Sequence, residues 1–310
     1  MADVLLTGAA GFLGAAVAEA LLERGDTVIA LVRDRDPRAR LYRDGIIARC
    51  IEVRSQLSDA ERLLAEYTPD AVIHLAAQTQ VTVAADAPLS TFESNVRGTW
   101  RLLEAIRQAR RQPSRIVVAS SDKAYGTTPP PYTEEAPLAP LAPYDVSKAC
   151  TDLIAQSFGA HFGLPLAITR CGNIYGPGDQ NLLRLVPGVC SDLSAGRAPQ
   201  LRSTGRMTRE WLYIDDAAAA TLAVLDASPD HRGTAFNLGG GQRASVAAVV
   251  ATLCRLAGYD GPIPFTETEP DGEIPHQSLI SARIRALGWS AETDLEAGLA
   301  AAWRWYAQSA

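Results

Sequence analysis

The chain opens on an apolar run, Val4-Leu5-Leu6-Thr7, without polar alternation, the pattern of a strand buried on both faces. Glycine punctuation follows. From Ala15 to Glu23 the apolar positions recur at helical spacing, and Gly25 stands where a helix C-cap is needed. Thr27 to Val32 is a second β-branched run. Asp70 to Leu75, Arg115 to Ala119 and Leu166 to Thr169 are three more buried-type runs, with helical stretches between them. Strands alternating with helices predict βαβ units and a parallel, doubly wound sheet.

After about Arg170 the pattern changes. Glycine and proline become frequent at Gly172, Gly176, Pro177, Gly178, Pro187 and Pro199. Gly239-Gly240-Gly241 follows, and then a stretch from Gly261 to Pro275 with Pro262, Pro264, Pro270 and Gly272. These segments predict loops that shape a pocket over the sheet. Thr128 to Pro143 is proline-rich but too short for a linker, and is expected as a structured loop. The chain closes on an amphipathic helix from about Asp294 to Gln308, with Leu295, Leu299 and Trp303 on one face.

Composition narrows the function. The 310 residues carry 29 basic and 35 acidic side chains, a net charge of −6, with no basic run. Such a chain is a poor match for a phosphate backbone, so nucleic-acid binding is not expected. The apolar runs fall short of a membrane span, and the N-terminus, with Asp3 and no basic region, does not read as a signal peptide. A cytoplasmic protein is therefore expected. Its five cysteines, Cys50, Cys150, Cys171, Cys190 and Cys254, form no CxxC pair and read as reduced thiols. His74, His161, His231 and His276 show no metal spacing, so no metal site is expected.

The first chemical motif is Gly8-Ala9-Ala10-Gly11-Phe12-Leu13-Gly14, between the first strand and the first helix. Gly8 allows a tight turn, Gly11 lets a pyrophosphate approach the backbone, and Gly14 lets the helix pack against the sheet. The helix start adds N–H donors and positive dipole charge. In this context the motif predicts a bound dinucleotide. The second strand ends Leu31-Val32-Arg33-Asp34. Arg33 stands where an arginine would meet a 2′-phosphate, with Arg35 and Arg38 nearby, which leans toward NADP; Asp34 keeps NAD open.

Tyr144 and Lys148 are four apart, so on a helix they share a face. A neighbouring ammonium and the nicotinamide charge would favour the phenolate, so that Tyr144 takes a hydroxyl proton as hydride leaves the same carbon. Upstream, the strand Arg115 to Ala119 leads into Ser120-Ser121-Asp122-Lys123-Ala124-Tyr125-Gly126. Strand C-termini line the ligand crevice of a parallel sheet, so a serine there can share a substrate hydroxyl with Tyr144.

Together, the glycine cradle, the Ser-x-x-x-Tyr-Gly segment and the Tyr-x-x-x-Lys pair resemble the extended short-chain dehydrogenase/reductases that modify nucleotide sugars. The resemblance runs through His74-Leu75-Ala76-Ala77-Gln78, Asn95 to Thr99, Arg170 to Gly176, Arg209 to Asp216 and Phe236 to Gly239. It implies roles at matching positions. Ser121, Tyr144 and Lys148 match the catalytic triad, and Asn95 an asparagine that helps place the lysine through water. Gly8, Ala10, Gly11, Phe12, Leu13, Arg33, Gln56, Leu57, Leu75, Ala76 and Ala77, with Tyr144 and Lys148, match the cofactor site. Gln78, Asn173, Arg209 and His276 match substrate positions. Two local alternatives stand beside these roles: Arg209 pairing with Asp215 or Asp216, and Asn95 capping a helix. Ser55-Gln56-Leu57 departs from the Gly-Asp-Leu of many relatives.

Asp122-Lys123 distinguishes among the chemistries of the family. An acidic residue followed by a second polar group resembles the sugar 4,6-dehydratases, and Ser-Asp-Lys resembles the CDP-glucose branch, as do Pro69-Asp70, Ala77-Gln78 and Pro275-His276. Oxidation at C4 acidifies the C5 proton. A base then removes it while an acid protonates the departing C6 hydroxyl. Asp122 suits the acid if burial raises its pKa. Lys123 is the base only if desolvation or neighbouring positive charge keeps it partly neutral, and otherwise a partner of Asp122 or the diphosphate.

The expectation is therefore an α/β enzyme with a Rossmann-type, doubly wound parallel sheet and a smaller C-terminal substrate-binding α/β domain. The dinucleotide domain is expected over 1–170 with a return segment at about 215–238, and the interleaved substrate domain over 171–310. The expected activity is an NAD(P)-dependent nucleotide-sugar 4,6-dehydratase, with a 4-epimerase or an NADPH-dependent ketoreductase as alternatives. The resemblance also implies a homodimer through helices near Thr91–Arg110 and Tyr144–Phe162.

Overall fold

The structure, a computed structural model, describes residues 1–268 and 276–308. Pro270, Gly272 and Pro275 lie outside the described residues. The strands are β1 (Asp3–Thr7), β2 (Thr27–Val32), β3 (Ile51–Arg54), β4 (Ala71–His74), β5 (Arg115–Ala119), β6 (Leu166–Cys171), β7 (Asn173–Tyr175), β8 (Thr208–Tyr213), β9 (Thr234–Leu238) and β10 (Gln242–Ser245).

Seven of them form a parallel sheet in the order β3-β2-β1-β4-β5-β6-β9. Its β1 is buried on both faces because alternate side chains enter different cores. Val4 and Leu6 join helix Phe12–Glu23 and helix Ile214–Ala227 on one side. Leu5 joins Leu63, Leu102 and Ile106, from helices Ala60–Tyr67 and Gly98–Gln108, on the other. The winding reverses between β1 and β4, where Thr7 lies beside His74. That reversal opens a crevice at the strand C-termini.

The first helix starts three residues earlier than its apolar spacing indicates, and Gly25 takes φ +88° just past its C-terminus. Strand β3 has no strong signal in the sequence. It lies at the sheet edge, and Val53 is its one fully buried side chain. Helix Ile214–Ala227 carries the chain back to the large sheet, and β9 then pairs with β6 from Ala167↔Thr234 to Cys171↔Leu238.

The remaining strands form a second sheet in the order β10-β8-β7, with β8 parallel to β7 and antiparallel to β10. Helices Leu185–Ser194, Val246–Ala257 and Leu295–Ala307 bury a core there with Val189, Trp211, Val250, Leu253 and Leu299. The last helix is capped by Asp294, whose carboxylate accepts from Ala297 N at 2.8 Å. Its fully buried face is Gly298, Leu299, Ala302 and Tyr306, while Leu295 and Trp303 sit at the margin.

Candidate active site

One cleft of about 2080 Å³ runs from the glycine turn to the second sheet. A single small ligand needs a few hundred Å³, so this cleft has room for two large ones side by side. Gly8 has φ +74°, and a Cβ there would lie 2.7 Å from Ala76 N. At Gly14 a Cβ would lie 2.0 Å from Gly8 O, so the helix seats against the turn only with glycine. No side chain caps the helix at Gly11, and Gly11, Phe12 and Leu13 line the cleft. A phosphate at this helix start meets unblocked N–H donors and the positive dipole end. These residues fit a dinucleotide.

Leu75, Ala76, Ala77, Gln56, Leu57 and Ala10 line the same cleft, as does Arg33. The Arg33 guanidinium is 81% exposed and donates to Asp34 at 2.7 Å. Arg35 is paired with Glu52, and Arg38 with Asp36. The three basic groups expected to meet a 2′-phosphate thus each face an acid.

A buried polar chain fixes the cradle to the rest of the site. Thr99 Oγ1 donates to Asn95 O at 2.6 Å, so it accepts from His74 Nε2 at 3.0 Å. His74 Nδ1 then accepts from Thr7 Oγ1 at 2.7 Å, and Thr7 Oγ1 in turn accepts from Ala76 N at 3.2 Å. Each hydroxyl donates once along this line, which requires a neutral imidazole. Burial, with Lys148 nearby, pushes His74 down to about 3. Asn95 lies in a π-helical turn, Glu93–Arg97, and is not a helix cap. Its Oδ1 accepts from Gln78 N at 2.7 Å, and its Nδ2 donates to Gln78 O and Ser147 Oγ, both at 2.9 Å. π turns recur at functional sites. Here the turn aims one amide at both the cleft wall and the helix that bears Tyr144 and Lys148.

Ser121 ends the loop after β5 and caps a 3₁₀ turn, Asp122–Tyr125, its Oγ accepting from Lys123 N at 3.2 Å. The same Oγ donates to Asp122 Oδ1 at 3.2 Å and interacts with the Tyr144 phenol. Tyr144, Lys148, Ser121, Asp122 and Lys123 all line the cleft. Burial raises the Asp122 carboxyl to about 6, with Lys123 and Ser121 opposing the rise. The Lys148 ammonium donates to Ala119 O at 2.6 Å, and burial lowers it to about 8. The Tyr144 phenol departs from expectation. Burial pushes it up to about 12, and the cation that opposes this most is Arg184. Arg184 flanks the start of helix Leu185–Ser194, is held to Asp179 at 3.0 Å and lines the cleft. Nothing in the sequence connected it to residue 144, since its charge reaches Tyr144 only through the tertiary fold.

Asn173 and Arg209 also line the cleft. Asn173 Nδ2 is buried without a hydrogen-bond partner among the described residues, a donor left for a ligand. Arg209 is 8% exposed and donates to Thr208 O at 3.0 Å. Asp216 instead accepts from Glu292 N and Thr293 N, and Asp215 faces Arg40. The Gln78 side chain turns to Thr91 Oγ1 and Gln80 O while remaining in the cleft wall. His276 does not line the cleft. It is exposed, and its Nδ1 bonds Thr208 Oγ1 at 2.7 Å, which registers its segment against β8. The neighbouring Gln277 reaches the site in its place: its Nε2 donates to Asp122 Oδ2 at 2.7 Å.

Residues 4–239 match the model of the NAD dependent epimerase/dehydratase family. The chain belongs to that family. It is 31% identical to dTDP-glucose 4,6-dehydratase 1 of Escherichia coli (strain K12), over 98% of this chain and 92% of that one. Among solved structures, a double mutant of DesIV, the dTDP-glucose 4,6-dehydratase of Streptomyces venezuelae with NAD and DAU bound, is similar with TM-score 0.87. The two are 30% identical, and the match covers 98% of this chain and 96% of that one. The UDP-glucuronic acid 4-epimerase of Bacillus cereus, in complex with UDP-glucuronic acid and NAD, is similar with TM-score 0.89. It is 25% identical over 99% of this chain and 100% of that one. The protein is thus an NAD(P)-dependent enzyme of the nucleotide-sugar dehydratase/epimerase class.

Proposed function

We propose that this protein is a nucleotide-sugar 4,6-dehydratase. The observation that carries the reading is Asp122. It is a buried carboxyl raised to about 6, in the same cleft wall as Ser121 and Tyr144. A carboxyl that is still partly protonated near neutral pH is suited to give a proton to a departing hydroxyl. A 4-epimerase has no departing hydroxyl and no use for such an acid.

Gly8, Gly11, Phe12, Leu13 and Ala76 would hold NAD(P), which would supply the hydride acceptor and donor and a positive charge near Tyr144. Tyr144 takes the C4 hydroxyl proton, with Ser121 sharing that hydroxyl and Arg184 favouring the phenolate. Lys148 is fixed by Ala119 O, and the Asn95 turn holds its helix against the cleft. Asp122 protonates the C6 oxygen as it leaves. Lys123 either takes the C5 proton, which requires its neutral amine, or pairs with Asp122 or the diphosphate; Lys123→Ala separates the two by lowering kcat in the first case and raising KM in the second. Asn173 and Arg209 hold the nucleotide diphosphate.

The near-neutral balance of Arg33, Arg35 and Arg38 with Asp34, Glu52 and Asp36 supports NAD over NADP, which reverses the lean of the sequence. A homodimer and a cytoplasmic location belong to the same reading. Trp100, Leu153 and Phe162, exposed by 46%, 55% and 47% on the two expected helices, support the dimer. A concentration-independent monomer mass in solution would remove it.

The test is incubation with dTDP-, CDP-, UDP- and GDP-hexoses in heavy water, read by mass spectrometry. The dTDP sugars come first because of the relatives, and the CDP sugars second because of Ser-Asp-Lys. Net loss of water with deuterium fixed in the product is expected. Unchanged composition with a new sugar isomer would instead make the enzyme an epimerase.

A further inference from the structure

An acid that delivers a proton must carry it on the oxygen that faces the acceptor, and a carboxyl has two oxygens. Asp122 Oδ1 lies beside Ser121 Oγ at 3.2 Å. Asp122 Oδ2 accepts from Gln277 Nε2 at 2.7 Å. Gln277 is 3% exposed, and its own Oε1 is buried with no partner among the described residues.

The segment around Gln277 is held from both sides. Gln277 N donates to Thr208 O at 3.3 Å, and Leu279 N to Glu210 Oε2 at 2.7 Å, both on β8. Tyr132 N donates to Ser278 O at 2.9 Å, and Ile280 N to Tyr132 O at 2.8 Å. The amide is thereby fixed against the acid from the side opposite Ser121.

We infer that Gln277 is a positioning residue that holds Asp122 Oδ2 as an acceptor and so confines the acid proton to Oδ1, on the Ser121 side. An amide N–H can only donate, and the carbonyl oxygen of a carboxyl accepts it better than the O–H oxygen does, whereas the Ser121 hydroxyl, which donates to Oδ1 when Asp122 is ionised, can turn to accept when Oδ1 carries the proton. The consequence for turnover rests on the dehydratase reading; the assignment of the proton does not. The other groups that face Asp122 are Lys123 and Ser121 from its own turn, Tyr144 and Asp145 from helix Pro143–Phe162, Tyr132 from the preceding loop and Cys171 from the end of β6.

The experiment compares wild type, Gln277→Leu and the isosteric Gln277→Glu, each with NAD added. Carboxyl-carbon NMR of aspartate-labelled protein follows the residue-122 titration, assigned with Asp122→Asn. Losing a donor to the ionised carboxyl should raise its midpoint by about one pH unit in Gln277→Leu. Gln277→Glu, which places a second carboxyl there, should raise it further. With dTDP-, CDP-, UDP- and GDP-glucose, reduced nicotinamide absorbance reports oxidation, and mass spectrometry reports water loss. The variants should reduce the nicotinamide as fast as wild type, yet lose water about 10- to 100-fold more slowly. An unchanged midpoint in both variants overturns the inference, as does equal slowing of oxidation and water loss. If the wild type dehydrates none of the four sugars, the dehydratase reading fails, and the NMR midpoint still decides the role of Gln277.

Discussion

Asp152→Leu is expected to be among the most damaging single changes outside the cleft. Asp152 is fully buried, and its carboxylate receives Arg170 Nε at 2.8 Å and Nη2 at 2.9 Å. Arg170 Nη1 donates to Tyr125 OH at 2.9 Å and Glu134 O at 3.0 Å, and Tyr125 OH donates on to Asn237 Oδ1 at 2.7 Å. One guanidinium thus ties helix Pro143–Phe162 to the turn that carries Asp122 and Lys123. Removing the carboxylate strands a buried cation, at a cost of about 3–5 kcal/mol. Against a total stability of about 5–15 kcal/mol, that is a large share. The double variant Asp152→Leu/Arg170→Met removes both charges. Tyr125 keeps Asn237 as its partner, but Glu134 O loses its donor, so a deficit of about 1–3 kcal/mol should remain. Urea unfolding followed by circular dichroism measures both. A single variant within 1 kcal/mol of wild type, on the order of a surface pair, would refute the argument. So would a double variant no more stable than the single one.

Tyr144→Phe should lower turnover by about 10²- to 10⁴-fold while dinucleotide binding, read by fluorescence titration, stays within threefold; retained turnover would remove Tyr144 from the mechanism. Gly11→Ala should weaken dinucleotide binding at least tenfold with less loss of stability than Gly14→Ala, because its φ of −73° suits alanine and its Cβ would lie 3.1 Å from Gly8 O, a contact relieved by a shift of a few tenths of an ångström. Gly14→Ala should impair both, since its Cβ would lie 2.0 Å from Gly8 O and overpacking of this kind costs about 1–3 kcal/mol. On pH, the two buried groups oppose each other. His74 is lowered to about 3, so the unfolded chain protonates first and stability falls as pH drops below about 6.5. Asp122 is raised to about 6, so its contribution grows as pH falls from about 6 toward 3.8. Between about pH 6.5 and 4.5, Asp122→Asn should therefore lose roughly 2 kcal/mol more than wild type in urea unfolding; parallel curves would contradict these shifts.

The sequence announced its large sheet because strands buried on both faces are written as unbroken apolar runs, as in Val4 to Thr7 and Thr27 to Val32. It was silent on Ile51–Arg54, where an edge position leaves only Val53 fully buried and the pattern too weak to stand out. The glycine cradle and the Tyr144–Lys148 pair were legible because both are local, set by turn geometry and helix period. By sequence alone, then, this chain determined its sheet, its glycine turn and the place of Ser121, Asp122 and Tyr144 along one cleft. Only the tertiary structure decided what surrounds them. It put the charge of Arg184 where it favours the Tyr144 phenolate, sent His276 out to Thr208, and brought Gln277 against Asp122, 155 residues away in the chain. Such contacts depend on how one layer seats on another, and no periodicity along the chain encodes that distance.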